Sequence, residues 1–279
     1  MEGCLPPGAV RLRVVQRQGR TRLADLYQRA PMRVALPEPE VGEPLHAVLI
    51  NTSGGLVGGD RCHVEVHADA GTDLLVLPQA AEKVYRSTGA DCTLENTLAV
   101  GENAFLEWLP QDTILFQGAR LERHTQVTLA SGARLLAGEI LVFGRAAHGE
   151  SLTRGLLREN WTVLQDQRLL WADRLRLEED LAIALHHPAA LDGARAAATL
   201  LWAGPPGDDT LEVVRSWLLA REPKHAPDWR AAAGMINGLL LVRWLAWDPA
   251  ALRRAYGQLW QELRARAGRP ARLPPLWSL

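Results

Sequence analysis

Residues 8–177 are written as short runs in which apolar and polar side chains alternate, broken by Gly, Pro, Asp or Asn at intervals of about 8–12 positions. The clearest runs are 11–15, 48–50, 62–67, 73–77, 92–100, 104–108, 125–129, 134–143, 160–164 and 169–177. A period of two puts successive side chains on opposite faces, so each run offers one face to a core. None repeats at helical spacing. So many short strands demand a stacked or closed β architecture: a sandwich, a barrel or a solenoid.

The last third changes character. Residues 196–202 read as a strand, and Asp208-Asp209-Thr210 is expected to cap a helix to about residue 220, with Leu211, Val214, Leu218 and Leu219 at helical spacing. Asn237-Gly238 signals a hairpin between 231–236 and 239–247. Asp248-Pro249 then starts a helix to about residue 266, Asp as cap and Pro in the first turn. Its apolar stripe is Leu252, Tyr256, Leu259, Trp260 and Leu263, and a Pro- and Arg-rich tail follows. The organisation expected is a β body over 1–190 and a mixed α/β part with two helices over 191–279, packed together as one continuous domain.

Composition removes several functions. A net charge of -1 with scattered arginines gives no reason to expect nucleic acid or an anionic membrane as partner. The longest apolar run, 231–242, falls short of the roughly 20 residues of a membrane span. Met1-Glu2-Gly3-Cys4 opens no secretory signal, so a cytoplasmic protein is expected. Cys4, Cys62 and Cys92 are too few for a disulfide framework or a four-thiolate zinc site.

Residues 51–60, Asn-Thr-Ser-Gly-Gly-Leu-Val-Gly-Gly-Asp, set four glycines and an acid between two strand patterns, as the connection or bulges of a β pair. Gly54 and Gly59 have phosphate-loop spacing, but Asp60 and Arg61 stand where lysine and a hydroxyl are required. His63 and His67 share a strand face about 13 Å apart, too far to chelate one ion, and read as solvated. His186-His187 point in different directions in any regular structure.

Acids on apolar faces say more. Asp173 shares parity with Leu169, Trp171, Leu175 and Leu177, and Glu139 lies in a run apolar on both faces. Asp60 shares parity with Cys62, Val64 and Val66 if that strand reaches it. A buried carboxylate needs an arginine or lysine, a metal or an internal wet space. Arg145, Lys83 and Arg86 are the expected partners, and several inward acids together point to a polar interior. No nucleophile elbow or catalytic triad accompanies them, so no catalytic residue is assigned. An acid pair such as Glu139 with Asp173 keeps a carbohydrate-active or hydrolytic enzyme as the alternative.

Four stretches in order then carry a resemblance. They are the 51–60 segment, Gln79-Ala-Ala-Glu-Lys-Val-Tyr-Arg-Ser87, Leu106-Glu-Trp-Leu-Pro-Gln-Asp-Thr-Ile-Leu-Phe116, and Glu139-Ile-Leu-Val-Phe-Gly-Arg145 followed by Gly149-Glu150. Trp171-Ala-Asp-Arg-Leu-Arg-Leu177 and Leu273-Pro-Pro-Leu-Trp277 extend it more loosely. Together they resemble the urease accessory protein UreD family, also called UreH. The resemblance implies a β-solenoid-like body with helices near the C-terminus and a non-enzymatic role in nickel delivery to apo-urease. It implies binding to UreF, recruitment of the GTPase UreG through UreF, and an internal polar passage for nickel. GTP then belongs to the partner, and this chain holds no tight cofactor, only transient nickel. By position, the passage residues are Asp60, Glu82, Glu139 and Asp173; Glu82 replaces the family's frequent Thr or Ser, and Pro78 a frequent Thr. A pure adaptor without a metal path is the other alternative.

Overall fold

The computed structural model describes residues 7–145, 148–204, 209–222 and 228–278. Its strands form a seven-stranded and a ten-stranded sheet, and the chain alternates between them. β4 (Leu45–Asn51), β6 (Asp73–Pro78), β9 (Phe105–Trp108) and β12 (Arg134–Phe143) stack in parallel in the larger sheet. β5 (Arg61–Ala68), β8 (Cys92–Val100), β11 (Arg120–Leu129) and β13 (Arg154–Gln165), each entered from the strand before it, stack in parallel in the smaller one. The result is a β-solenoid-like stack of about four turns. A narrow third side runs from Leu56 through β7 (Glu82–Val84) and β10 (Asp112–Leu115) onto the end of β12.

Antiparallel strands finish both ends. β1 (Ala9–Arg17) runs parallel to β5 and carries the antiparallel β2 (Arg20–Gln28), while β3 (Met32–Ala35) borders β4 antiparallel. At the far end β14 (Arg168–Asp180) pairs with β13, followed by α1 (Leu181–His186). β15 (Ala196–Ala203), β16 (Trp229–Ile236) and β17 (Leu239–Ala246) extend the larger sheet from β12 in the order β12-β15-β17-β16. α2 (Thr210–Arg221), α3 (Pro249–Arg266) and the 3-10 turn Pro275–Ser278 complete the chain.

Burial explains the sequence patterns. The smaller sheet has one wet face, so β5 alternates with Cys62, Val64, Val66 and Ala68 inward. The larger sheet is covered twice: Leu135, Ala137, Leu141 and Phe143 of β12 face the solenoid interior, and Leu136, Ile140 and Val142 join the core that holds Val214 of α2 and Leu252, Leu259 and Trp260 of α3. That double cover makes 134–143 apolar on both faces. Trp161, Trp171, Trp202, Trp217, Trp229, Trp244, Trp260 and Trp277 are buried.

A buried ionic cluster pins α3 to the body. Arg264, fully buried, places Nε 2.8 Å from the Glu107 carboxylate of β9 and Nη2 2.5 Å from Glu43, and donates to the Arg272 carbonyl. Trp260 Nε1 donates to the same Glu107 oxygen at 3.1 Å. Burial pushes Glu107 upward, against the pull of Arg264.

Several expectations change. The segment 51–60 does not join a β pair: β4 and β5 belong to different sheets, and the glycines turn the corner between them. Gly55 has φ +149°, and a Cβ there would meet the Lys83 carbonyl at 2.6 Å, so the corner requires glycine. Asp209 precedes α2 without capping it through its side chain, which pairs with Arg266 instead; Asp208 lies outside the described residues. Asp248 does cap α3, accepting from the Ala250 N–H at 2.8 Å. Asn237 and Gly238 take φ of 49° and 82° in the hairpin turn. β2, β3, β7, β10 and α1 went unread: β2 is exposed on both faces and so lacks alternation, and the others have only 4, 3, 4 and 6 residues. Among the described residues no helix is long and apolar enough to cross a membrane.

Candidate functional site: a polar interior between the sheets

The solenoid interior is apolar at one end and polar in the middle. Within the inner-face pattern of β11, Arg123 stands between Leu121 and Thr125; in β13, Glu159 stands between Leu157 and Trp161. Arg123 and Glu159 are neighbours in register, and Glu139 reaches them from β12 across the core. Arg123 Nε lies 2.7 and 2.9 Å from the two Glu159 oxygens, Nη1 donates to Thr113 Oγ1 at 2.9 Å, and Nη2 donates to Glu139 Oε2 at 3.2 Å. Trp161 Nε1 also donates to Glu139 Oε2, at 2.9 Å. One guanidinium thus sits between two buried carboxylates, Glu139 at 7 % and Glu159 at 2 % exposure. Burial opposes its charge, but the paired carboxylates prevail and raise its pKa, so Arg123 stays protonated; burial and the neighbouring Glu139 push the Glu159 carboxyl well above its usual range, against the pull of Arg123.

This group faces a cavity of ≈ 400 Å³ lined also by Asn51, Glu82, Asn96, Thr113, Thr125 and Trp108. Glu82 is half-buried and accepts from Asn51 Nδ2 at 3.1 Å. Burial pushes its carboxyl up to about 7, with Asp60 adding to the shift and Asn51 and Arg123 opposing it. Register puts Glu82 beside Thr113, the residue that takes Arg123 Nη1.

A second cavity of ≈ 530 Å³ opens between β14 and β17, lined by Asp173, Arg174, Thr199, Arg230 and Arg243. Asp173 shares a register position with Trp161 and binds Arg243 Nη2 at 2.7 Å. Glu139, Thr199 and Arg243 occupy one rung of the larger sheet. Among the described residues, Glu139 is the one side chain that lines both cavities.

The four predicted site residues therefore fall at distinct places. Glu82 and Asp173 lie in separate cavities that share Glu139 in their linings. Asp60 lines neither. It precedes the first residue of β5, and its Oδ2 accepts from the Val57 N–H at 2.9 Å, closing the glycine corner. Its charge still reaches Glu82, Cys62 and Cys92; burial, aided by that charge, pushes both thiols up to about 12. The partner of Glu139 is Arg123, not Arg145, Lys83 or Arg86, and Arg145 is taken by Glu150 at 2.5 Å.

Elsewhere, His67 Nε2 lies 2.5 Å from Glu65, and His63 lies 3.4 Å from Glu95, both on the outer face of the smaller sheet. Among the described residues no three His, Cys, Asp or Glu side chains converge where a metal ion fits.

Comparison with known proteins agrees with the resemblance read from the four motifs. Residues 7–278 match the family model described as UreD urease accessory protein. A urease accessory protein UreD of Magnetococcus marinus is 56% identical over 272 residues, 98% of this chain and 94% of the relative. Similar proteins of the same description occur in Methylobacterium sp. (strain 4-46), 42% identical over 260 residues, 93% of this chain and 90% of the relative, and in Mesorhizobium japonicum, 40% identical over 272 residues, 98% and 94%.

Proposed function

Because this chain belongs to the UreD family of urease accessory proteins, assembly factors rather than enzymes, we propose that it takes part in urease maturation as a scaffold whose interior conducts nickel to apo-urease. The observation that carries this reading is the position of Glu139 between the two cavities. A divalent ion that enters beside Glu82 meets Glu139 next and Asp173 last, each a single oxygen donor. Hard oxygen ligands in small number hold a hydrated ion weakly, and conduction needs sites that release as readily as they bind. Asp60 contributes its charge from the corner behind Glu82. UreF, and through it the GTPase UreG, are the partners that the family resemblance implies, with apo-urease receiving the ion in the cytoplasm.

The test is nickel content per urease in cells carrying Asp60→Ala, Glu82→Ala, Glu139→Ala or Asp173→Ala, alongside recovery of the urease-bound complex. The complex is expected intact with nickel lowered, most in Glu139→Ala and least in Asp60→Ala. Normal nickel occupancy in all four variants sinks the passage and leaves an adaptor that only positions its partners.

A further inference from the structure

Resting on the passage reading, we infer that Glu159 is a positioning residue that keeps the Arg123 guanidinium occupied, so that Glu139 can exchange Arg123 for a passing cation. Glu139 alone cannot exchange its partner between the two cavities without cost. An arginine facing one carboxylate would leave a bare buried cation each time that carboxylate turned to another ion, and an uncompensated buried charge is heavily penalised.

The hydrogen bonds divide the work unequally. Glu159 places both oxygens on Arg123 Nε, at 2.7 and 2.9 Å, and Thr113 takes Nη1 at 2.9 Å. Glu139 receives only Nη2, at 3.2 Å, the longest contact of the set. Arg123 therefore keeps the two Glu159 oxygens and the Thr113 hydroxyl when Glu139 leaves it. Glu139 in turn keeps the Trp161 N–H at 2.9 Å, which holds its carboxylate in place while Arg123 is exchanged. Glu159 itself lines neither cavity, so it acts through Arg123 and not on the ion.

The experiment follows nickel arriving in urease after a nickel pulse, in cells carrying urease and its accessory proteins, by metal analysis of purified urease over time. Glu159→Gln removes the carboxyl group that meets Arg123 Nε at constant shape, leaving Glu139 as the one carboxylate on Arg123 among the described residues. Nickel arrival is expected to slow about tenfold, a factor equivalent to 1.4 kcal/mol. Glu159→Asp, which keeps the carboxyl group, is expected within about twofold of the parent. Arg123→Met/Glu159→Met removes the clamp with its anchor and is expected to load urease faster than Glu159→Gln alone; a merely structural Glu159 predicts the reverse.

Parental loading by Glu159→Gln, equal slowing by Glu159→Asp, or a double variant no faster than Glu159→Gln each overturns the proposal. If Glu139→Ala slows loading while Glu159→Gln does not, only the gating role falls. If Glu139→Ala loads normally, the passage falls and the gate with it.

Discussion

Replacing Arg264 by methionine tests whether the buried cluster under α3 acts as an ionic unit. The substitution removes the contact at 2.8 Å to Glu107, the contact at 2.5 Å to Glu43 and the bond to the Arg272 carbonyl. Glu43 keeps Arg272 at 2.9 Å, but Glu107, fully buried, retains only the Trp260 N–H. Stranding one member of a buried pair costs about 3–5 kcal/mol, whereas replacing both members by neutral groups of similar volume is often nearly neutral. Arg264→Met is therefore expected to lose about 3–5 kcal/mol at pH 7.5, and Glu107→Gln/Arg264→Met about 1 kcal/mol or less. The pH dependence has a definite sign. Glu107 is already pushed up by burial, and removing Arg264 takes away the influence that lowers it. In the single variant the folded state then holds a proton that the unfolded state has released, so its stability falls as pH rises above the ordinary glutamate range. Urea unfolding of the full chain at pH 5 and pH 7.5, followed by far-UV circular dichroism, measures both effects. Equal losses in the single and double variants, or a single-variant loss that does not grow with pH, would refute an ionised Arg264–Glu107 pair.

Two further expectations follow from the interior and the corner. Glu82 should titrate with a midpoint of about 7, seen as a carboxyl band in difference infrared spectra of the parent that is missing in Glu82→Gln. Because its folded-state pKa is raised, its contribution to stability is complete below the unfolded value and declines as pH rises towards 7; a parent whose stability relative to Glu82→Gln is flat from pH 4.5 to 7.5 contradicts the assignment. Gly55→Ala sets a Cβ 2.6 Å from the Lys83 carbonyl at a φ of +149° and should cost about 2 kcal/mol or more in thermal or urea unfolding. A loss below about 0.5 kcal/mol would mean that the corner relaxes freely.

The fold was legible wherever one face of a strand meets water. Cys62 to Ala68 alternates because its outer face is wet, and β2 was invisible because both its faces are. Period-two runs reveal strands but not which strands pair, so 51–60 read as a turn within one sheet when it is a corner between two. The acids Glu139 and Asp173 were legible from parity alone, since a carboxylate inside an apolar run needs a partner. Their partners were not. Arg123 and Glu159 lie two and one residues before the runs 125–129 and 160–164 that were read as strands. Extending those runs backward by parity finds both. Arg243 stayed hidden because its pairing with Asp173 spans 70 residues of sequence. Asp60 has the parity of the inward side of β5, but it stands one residue before that strand, in the corner.

The register of the stack sets a metre for whatever moves inside it. Neighbouring strands lie about 4.8 Å apart, so across the antiparallel strands β12, β15 and β17 the backbones of Glu139 and Arg243, two strands apart on one rung, stand about 10 Å apart. A coordination sphere of oxygen ligands at about 2.0–2.6 Å is much smaller than that interval. Side chains must cover that interval, and Asp173, which approaches from β14 of the smaller sheet, has its Oδ2 on Arg243 at 2.7 Å. Whatever this frame can hold is therefore set by how far its side chains reach over a fixed ladder, and Arg243 holds one of the two carboxylates back.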